Sequence, residues 1–168
     1  MEATPATSEV TIREFLPGDE EAFRQLNEEW ITRYFTLEPT DEEMLGDPHR
    51  AILDPGGRIF FALLDGRRVG CCALLAAAPG DYEVVKMAVT QACQKSGIGR
   101  KLLAAVIAAA RASGAVRLHL ETNSILATAI RLYESLGFRH LPPERLPWSP
   151  YARAEVFMEL LLEPPTSC

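Results

Sequence analysis

The run Met87 to Leu103, MAVTQACQKSGIGRKLL, has the residue types and spacing best suited to hold a ligand. It reads as a strand, a turn rich in amide donors and the start of a long helix. Glycines at 97 and 99 let backbone approach whatever lies above the turn. The first N–H groups of the helix point at the same place, and such a helix start binds anions, phosphate above all. Three phosphate-cradling patterns compete. A nucleoside-triphosphate loop needs G-x-x-x-x-G-K-[ST], which Gly99-Arg100-Lys101 does not supply. A dinucleotide fingerprint needs G-x-G-x-x-G, and Leu102 stands where its third glycine belongs. The remaining pattern, Q/R-x-x-G-x-G/A, is met by Gln94-Lys95-Ser96-Gly97-Ile98-Gly99.

The elements that must position this turn are legible from periodicity. Val10 and Ile12 alternate with polar residues in a first strand that ends near Pro17. Asp19 is the expected N-cap of a helix carrying Phe23, Leu26, Trp30, Ile31 and Tyr34 at helical spacing. A second short helix starts at Pro39 with Thr40 or Asp41 as cap. Asp47-Pro48 breaks it before a helical turn from His49 to Leu53. Strands follow at Arg58 to Leu64, Arg67 to Ala78 and Tyr82 to Val89, joined at Asp65-Gly66 and at Pro79-Gly80-Asp81. The helix after the glycine turn runs to about Ser113, with Ile98, Leu102, Leu103, Val106, Ile107 and Ala110 on one face and Gly114 as its C′ residue. Val116 to Glu121 is a strand, so Val84 to Glu121 is a strand–helix–strand unit with parallel neighbours. A helix from Leu126 to Leu136, a short strand at Phe138 to His140, a proline-rich loop and a last strand from Ala154 to Leu162 complete the chain.

Length and composition bound the rest. A chain of 168 residues with 48% hydrophobic and 24% charged residues is expected to form one domain with a sizeable core. Residues 1–8 read as a flexible end and residues 9–163 as the domain. A net charge of −6 argues against non-specific nucleic-acid binding and suits a cationic substrate. Cys71, Cys72, Cys93 and Cys168 have neither disulfide nor metal-ligand spacing, which favours free thiols in a reducing cytoplasm. His49, His119 and His140 share no spacing, and no metal is expected. Met1 to Glu9 has neither a basic n-region nor an apolar h-region, so a signal peptide is not expected there; the apolar runs are too short to span a bilayer, and no membrane association is expected. A homodimer is compatible with the chain.

The glycine turn, the element order from Val10 to Leu162 and a second signature together resemble the GNAT superfamily of N-acetyltransferases. That second signature is Asn123 followed by Ala129-Ile130-Arg131-Leu132-Tyr133-Glu134-Ser135-Leu136-Gly137-Phe138. The resemblance implies an α/β fold of the acyl-CoA N-acyltransferase type. Its mixed sheet is mostly antiparallel, with a splayed parallel pair and flanking helices. It implies acetyl-CoA as cosubstrate. The pyrophosphate would lie on the loop Gln94, Lys95, Ser96, Gly97, Ile98, Gly99, Arg100 and Lys101, and the pantetheine arm along Met87 and Val89 with help from Asn123. A bulge would splay the strand that carries Met87. Lys95 is a departure, because many relatives carry glycine there.

Acetyl transfer needs a neutral amine, and only roughly one lysine-type amine in a thousand is neutral near pH 7. By resemblance Glu83 takes the general-base position, Glu121 competes for it, and Tyr133 protonates the leaving thiolate. Each also has an ordinary reading: strand surface, segment cap and core aromatic. The Val89 N–H resembles the family's oxyanion donor. Asn123 is as readily a turn residue. The resemblance places the acceptor site at the first helices and the loop before the last strand, which gives Arg33, Tyr34, Trp148, Tyr151 and Arg153; an arginine there would clamp an acceptor carboxylate. The sequence reading is therefore an N-acetyltransferase acting on the primary amine of an amino acid, small molecule or peptide. The alternative is a CoA-binding regulatory or interaction domain without turnover.

Overall fold

The computed structural model describes residues 9–163; the expected flexible end at residues 1–8, and Cys168, lie outside them. The chain runs β1 (Val10–Glu14), α1 (Glu20–Tyr34), α2 (Pro39–Gly46), a wide helical turn (His49–Leu53), β2 (Arg58–Leu64), β3 (Arg67–Ala78) and β4 (Asp81–Val89). It continues with α3 (Ile98–Ala112), β5 (Arg117–Thr122), α4 (Ala127–Ser135), β6 (Arg139–His140) and β7 (Val156–Leu161). The strands form one seven-stranded sheet in the order β1-β2-β3-β4-β5-β7-β6, in which only β4 and β5 run parallel. Among the described residues no helix is long and apolar enough to cross a membrane.

Each face of the sheet has its own core. On one, α3 buries Ile98, Leu102, Leu103, Val106 and Ile107 against Phe60, Cys72, Leu74 and Val84. On the other, Phe23 and Leu26 of α1 and Met44 and Leu45 of α2 pack on Phe61, Cys71, Ala73 and Ala88. Local signals account for most of the boundaries. Asp65 and Gly66 take φ of 50° and 77°, the mirror-image turn that matches strand twist. Gly114 at φ 80° closes α3: its N–H donates to Arg111 O and that of Ala115 to Ala110 O.

Two caps differ from expectation. The N-cap of α2 is Glu38, not Thr40 or Asp41. Glu38 and Asp41 form a reciprocal capping box, with Pro39 at the first helical position. Asp19 stands at the N-cap of α1, but its side chain makes no cap bond. Only 1% exposed, its carboxylate accepts from Arg13 Nη1 (2.6 Å), Arg68 Nε (2.5 Å) and Leu16 N (2.8 Å), so it ties β1 and β3 to the start of α1. Despite the opposing effect of burial, these donors hold its pKa down to about 2.

That depression makes Asp19 a source of pH-dependent stability. The folded pKa lies below the unfolded one, so the contribution is complete above the unfolded value and lost as pH falls through the folded one. Asp19→Asn should cost roughly 2 kcal/mol at neutral pH. The difference in urea midpoint from the wild type should shrink as pH falls from about 4 toward 2.

Candidate active site

Strands β4 and β5 pair only from Asp81–Glu83 to Arg117–His119. Beyond that, β4 follows β3 to Val89 while β5 follows β7 to Thr122, so the two parallel strands diverge. The gap opens into a cleft. Its walls come from both faces of the sheet, because alternate strand residues point opposite ways. Val84, Met87, Leu120 and Tyr133 belong to the α3 side. Glu83 and Val85 share the other parity and face the α1 side, as does Glu121, which alternates with Leu118 and Leu120.

Parity in β4 changes phase within the strand. Tyr82 and Val84 pack with α3, and so do Met87 and Val89. The step occurs because the register with β3 jumps between Cys71↔Ala88 and Ala73↔Val85, leaving Lys86 and Met87 opposite Cys72. This is a β-bulge, and Lys86 adopts φ 53° in it.

At the far end of β4 the glycine turn meets the start of α3. Lys95 and Gly97 take φ of 68° and 81°. The left-handed value at residue 95 explains why glycine suits that position; the Lys95 side chain costs on the order of 1 kcal/mol there. The first intrahelical bond is Lys101 N to Gly97 O (3.1 Å), so the N–H groups of Ile98, Gly99 and Arg100 precede the ladder. The Ile98 side chain is buried in the core and offers the turn only its backbone. A Cβ at Gly99 would lie 3.2 Å from Met87 Cε and 3.5 Å from Leu132 Cδ2, so the backbone there sits tightly beneath Met87. Ser96 Oγ donates to Cys93 O, and Arg100 Nη2 reaches Ser135 Oγ on α4 at 2.8 Å. Lys95 and Lys101 are exposed at the rim. The Thr90 N–H donates to Val69 O, which directs the Val89 peptide groups the other way, toward the gap. Gln94 Nε2 donates to the Val89 carbonyl at 3.2 Å. A helix start with free N–H groups, flanked by residues 95, 100 and 101, suits the pyrophosphate of coenzyme A.

The candidate acid–base groups sit on opposite walls. Burial pushes the Glu83 carboxyl up to about 7; Glu121 raises it further and Lys86 opposes the rise. Glu121 is also raised by burial, while it accepts a hydrogen bond from Ser149 Oγ (2.6 Å). Burial raises the Tyr133 phenol, which stays protonated; its Oη lies 3.9 Å from Met87 Sδ and its ring meets Phe138 edge-on. Asn123 lines the cleft, but its amide is engaged. Nδ2 donates to Arg153 O at 2.9 Å and Oδ1 accepts from Ile125 N at 3.0 Å, the bonding of a turn residue.

The α1 side of the cleft is closed by an ionic cluster. Lys86 Nζ lies 2.5 Å from Asp41 Oδ1 and 3.0 Å from Tyr151 Oη. Arg153 grips the same carboxylate with both arms, Nη1–Oδ2 at 2.8 Å and Nη2–Oδ1 at 2.7 Å, and Nη1 also reaches Glu38 Oε2 at 3.1 Å. The guanidinium stacks over Tyr151 at 4.5 Å. Asp41 is fully buried, and these donors outweigh burial to hold its pKa near about 2. Burial lowers Lys86.

Of the expected acceptor residues, the structure brings Tyr151 and Arg153 to the cleft and leaves three outside its lining. Tyr34 packs on Trp30 and Arg33 lies over Tyr34, because helix α1 turns Trp30 and Ile31 inward instead, followed by Phe35. Trp148 is 85% exposed on the proline-rich loop. The sequence reading also missed Lys86 and Asp41. A lysine inside an otherwise apolar strand, Val84-Val85-Lys86-Met87, was the available signal for the first; the partner, 45 residues away, had none.

Known proteins resemble this chain in sequence and in fold. The profile described as Acetyltransferase (GNAT) family matches residues 20–138. A protein of Azospirillum brasilense named IAA acetyltransferase is 36% identical over 144 residues, 83% of this chain and 90% of its own length. An acetyltransferase of GNAT family from Staphylococcus aureus has a TM-score of 0.83 at 21% identity, over 92% of this chain and 100% of that one. A Salmonella typhimurium structure solved with its cofactor acetyl-CoA has a TM-score of 0.72 at 23% identity, over 96% and 98% of the two chains. At these identities the two structures speak for the fold.

The tight backbone at Gly99 gives a direct check of the anion end. Gly99→Asp should weaken coenzyme A binding by roughly a hundredfold in calorimetry, since it sets a carboxylate against the pyrophosphate position. The melting temperature should stay near the wild-type value, because the new Cβ meets only side-chain ends.

Proposed function

The chain belongs to the acetyltransferase (GNAT) family, and from that premise we propose that it moves the acetyl group of acetyl-CoA directly to a primary amine, within the unit formed by residues 9–163. The observation that carries this reading is the cleft between β4 and β5, open to both faces of one sheet, with Glu83 and Glu121 on one wall and Tyr133 on the other. When bound, acetyl-CoA supplies the thioester carbonyl to be attacked and the thiolate that leaves. The α3 start and residues Gln94–Lys101 hold its pyrophosphate, and Met87 and Val89 border its pantetheine arm.

Glu83 is the general base. A carboxylate with a pKa of about 7 is half ionised at neutral pH and a stronger base than an ordinary carboxylate, so it takes up the amine's proton as attack proceeds. Glu121 keeps that value high by like-charge repulsion, so its part is to tune Glu83. The Val89 N–H, turned toward the gap, donates to the carbonyl oxygen as its charge grows. The Tyr133 hydroxyl, protonated at all working pH, gives its proton at the sulfur position. Direct transfer needs no cysteine, and Cys71 and Cys72 are fully buried, with Cys71 pushed up to about 12.

Acetylated product identified by mass spectrometry across a panel of amines tests the reading; tight acetyl-CoA binding without product would favour a binding domain. The residue roles have separate signatures. For the wild type, kcat/KM should climb with pH and level off above about 7. Glu83→Gln should lower the plateau by about a hundredfold and remove that inflection, leaving a rate that rises toward the amine's own pKa of about 10. Tyr133→Phe should reduce kcat by about tenfold or more with acetyl-CoA affinity unchanged, because the hydroxyl acts only as sulfur leaves.

A further inference from the structure

Resting on the acetyltransferase reading, we propose that the acceptor is a small primary amine on an apolar or aromatic body, with no carboxylate on the amine-bearing carbon. The α1 side of the cleft is built for a cation. Glu83 and Glu121 face it together, and neither has an ion pair among the described residues. The ring-bearing side chains Trp30, Phe35 and Tyr151 also line the cleft. Arg153 and Lys86 already lie over Tyr151, and Arg153 over Phe35, so the part left to these rings is to bury an apolar body with little entropic cost.

The cations at this end are already committed. The fork of Arg153 that would clamp a substrate carboxylate is closed bidentately on Asp41, with one arm also on Glu38. Lys86, only 4% exposed, is held by the same Asp41 and by Tyr151. Asp41 and Glu38 thus balance Lys86 and Arg153, which leaves Glu83 and Glu121 as the carboxyl groups without an ion pair that face the ligand. A carboxylate on the acceptor would be desolvated beside Glu83 and Glu121 with no free fork to receive it. An amine without one brings no carboxylate to desolvate there.

Matched acceptors test this on the wild-type enzyme: phenethylamine against phenylalanine, and pentylamine against norleucine, with phenylalaninamide as a neutral control of similar bulk. The amine of each pair should have a kcat/KM about a hundredfold above that of its amino acid, and phenylalaninamide should fall within about tenfold of phenethylamine. Equal or better turnover of the amino acids overturns the acceptor class and leaves the acetyltransferase reading intact. No product from any of these acceptors, with acetyl-CoA bound, overturns the acceptor class; the acetyltransferase reading falls only if the wider amine panel also stays unacetylated. Asp41→Asn releases Arg153 and Lys86, so it should narrow the amine-to-amino-acid gap by about tenfold. An unchanged gap in a folded variant overturns the role given to the committed cations. Should that variant fail to fold, the wild-type pairs still decide.

Discussion

One extra residue in β4, Lys86, organises the site. Without the bulge, strict alternation would carry Met87 to the face of Glu83 and Val85. With it, Glu83 faces α1 while Met87 and Val89 face α3, and the cleft gains two chemically different walls within a few residues. A lysine with φ 53° is strained by roughly 1 kcal/mol or more, and such strain persists only where neighbours over-determine it. Here they do. The side chain is driven into a nearly water-free position between Asp41 and Tyr151, so the bulge cannot relax without uncovering a buried ion pair.

Charge also does the positioning that apolar burial does elsewhere in the fold. The proline-rich loop before β7 buries little hydrophobic surface; Leu146 and Trp148 on it are exposed. It is fastened by Arg153 on Asp41 and Glu38 and by the Ala152 N–H on Glu38. The same two acids cap α2. A helix start, a strand bulge and a distal loop therefore converge on one carboxylate. A buried carboxylate gripped by two cations stabilises little in net terms against an apolar alternative, but losing one partner is costly, which makes the arrangement specific.

The legible parts of this structure were the local ones. Turn residues at Asp65-Gly66, the C′ glycine at 114 and the period of α3 each act over a few residues, so spacing alone reveals them. The Glu38 cap escaped because a glutamate is an uncommon cap residue, and Thr40 and Asp41 are common ones. The bulge was carried by resemblance, since Val84 and Val85 are both apolar and hide the change of phase. The structure turns Trp30 rather than Tyr34, one helical turn away, to the cleft, because which stripe of α1 faces it depends on packing against β3 and β4. The Lys86–Asp41–Arg153 cluster joins residues 45 and 112 positions apart, and no local pattern specifies such a pairing.

The same distant pairings explain why Glu83 makes no ion pair among the described residues. Parallel register sets Glu83 beside His119 and Asp81 beside Arg117. Arg117 is spent on Asp81 and Glu159, and His119 lies 2.8 Å from Asp81. On the other flank Asp41 takes both Lys86 and Arg153. Every positive group within reach is thus satisfied by another acid. Glu83 is left half-buried beside Glu121, where desolvation and repulsion push its pKa in the same direction. Its elevated value depends on that arrangement: Lys86 already opposes the rise, and an ammonium held less firmly by Asp41 would be free to pair with Glu83.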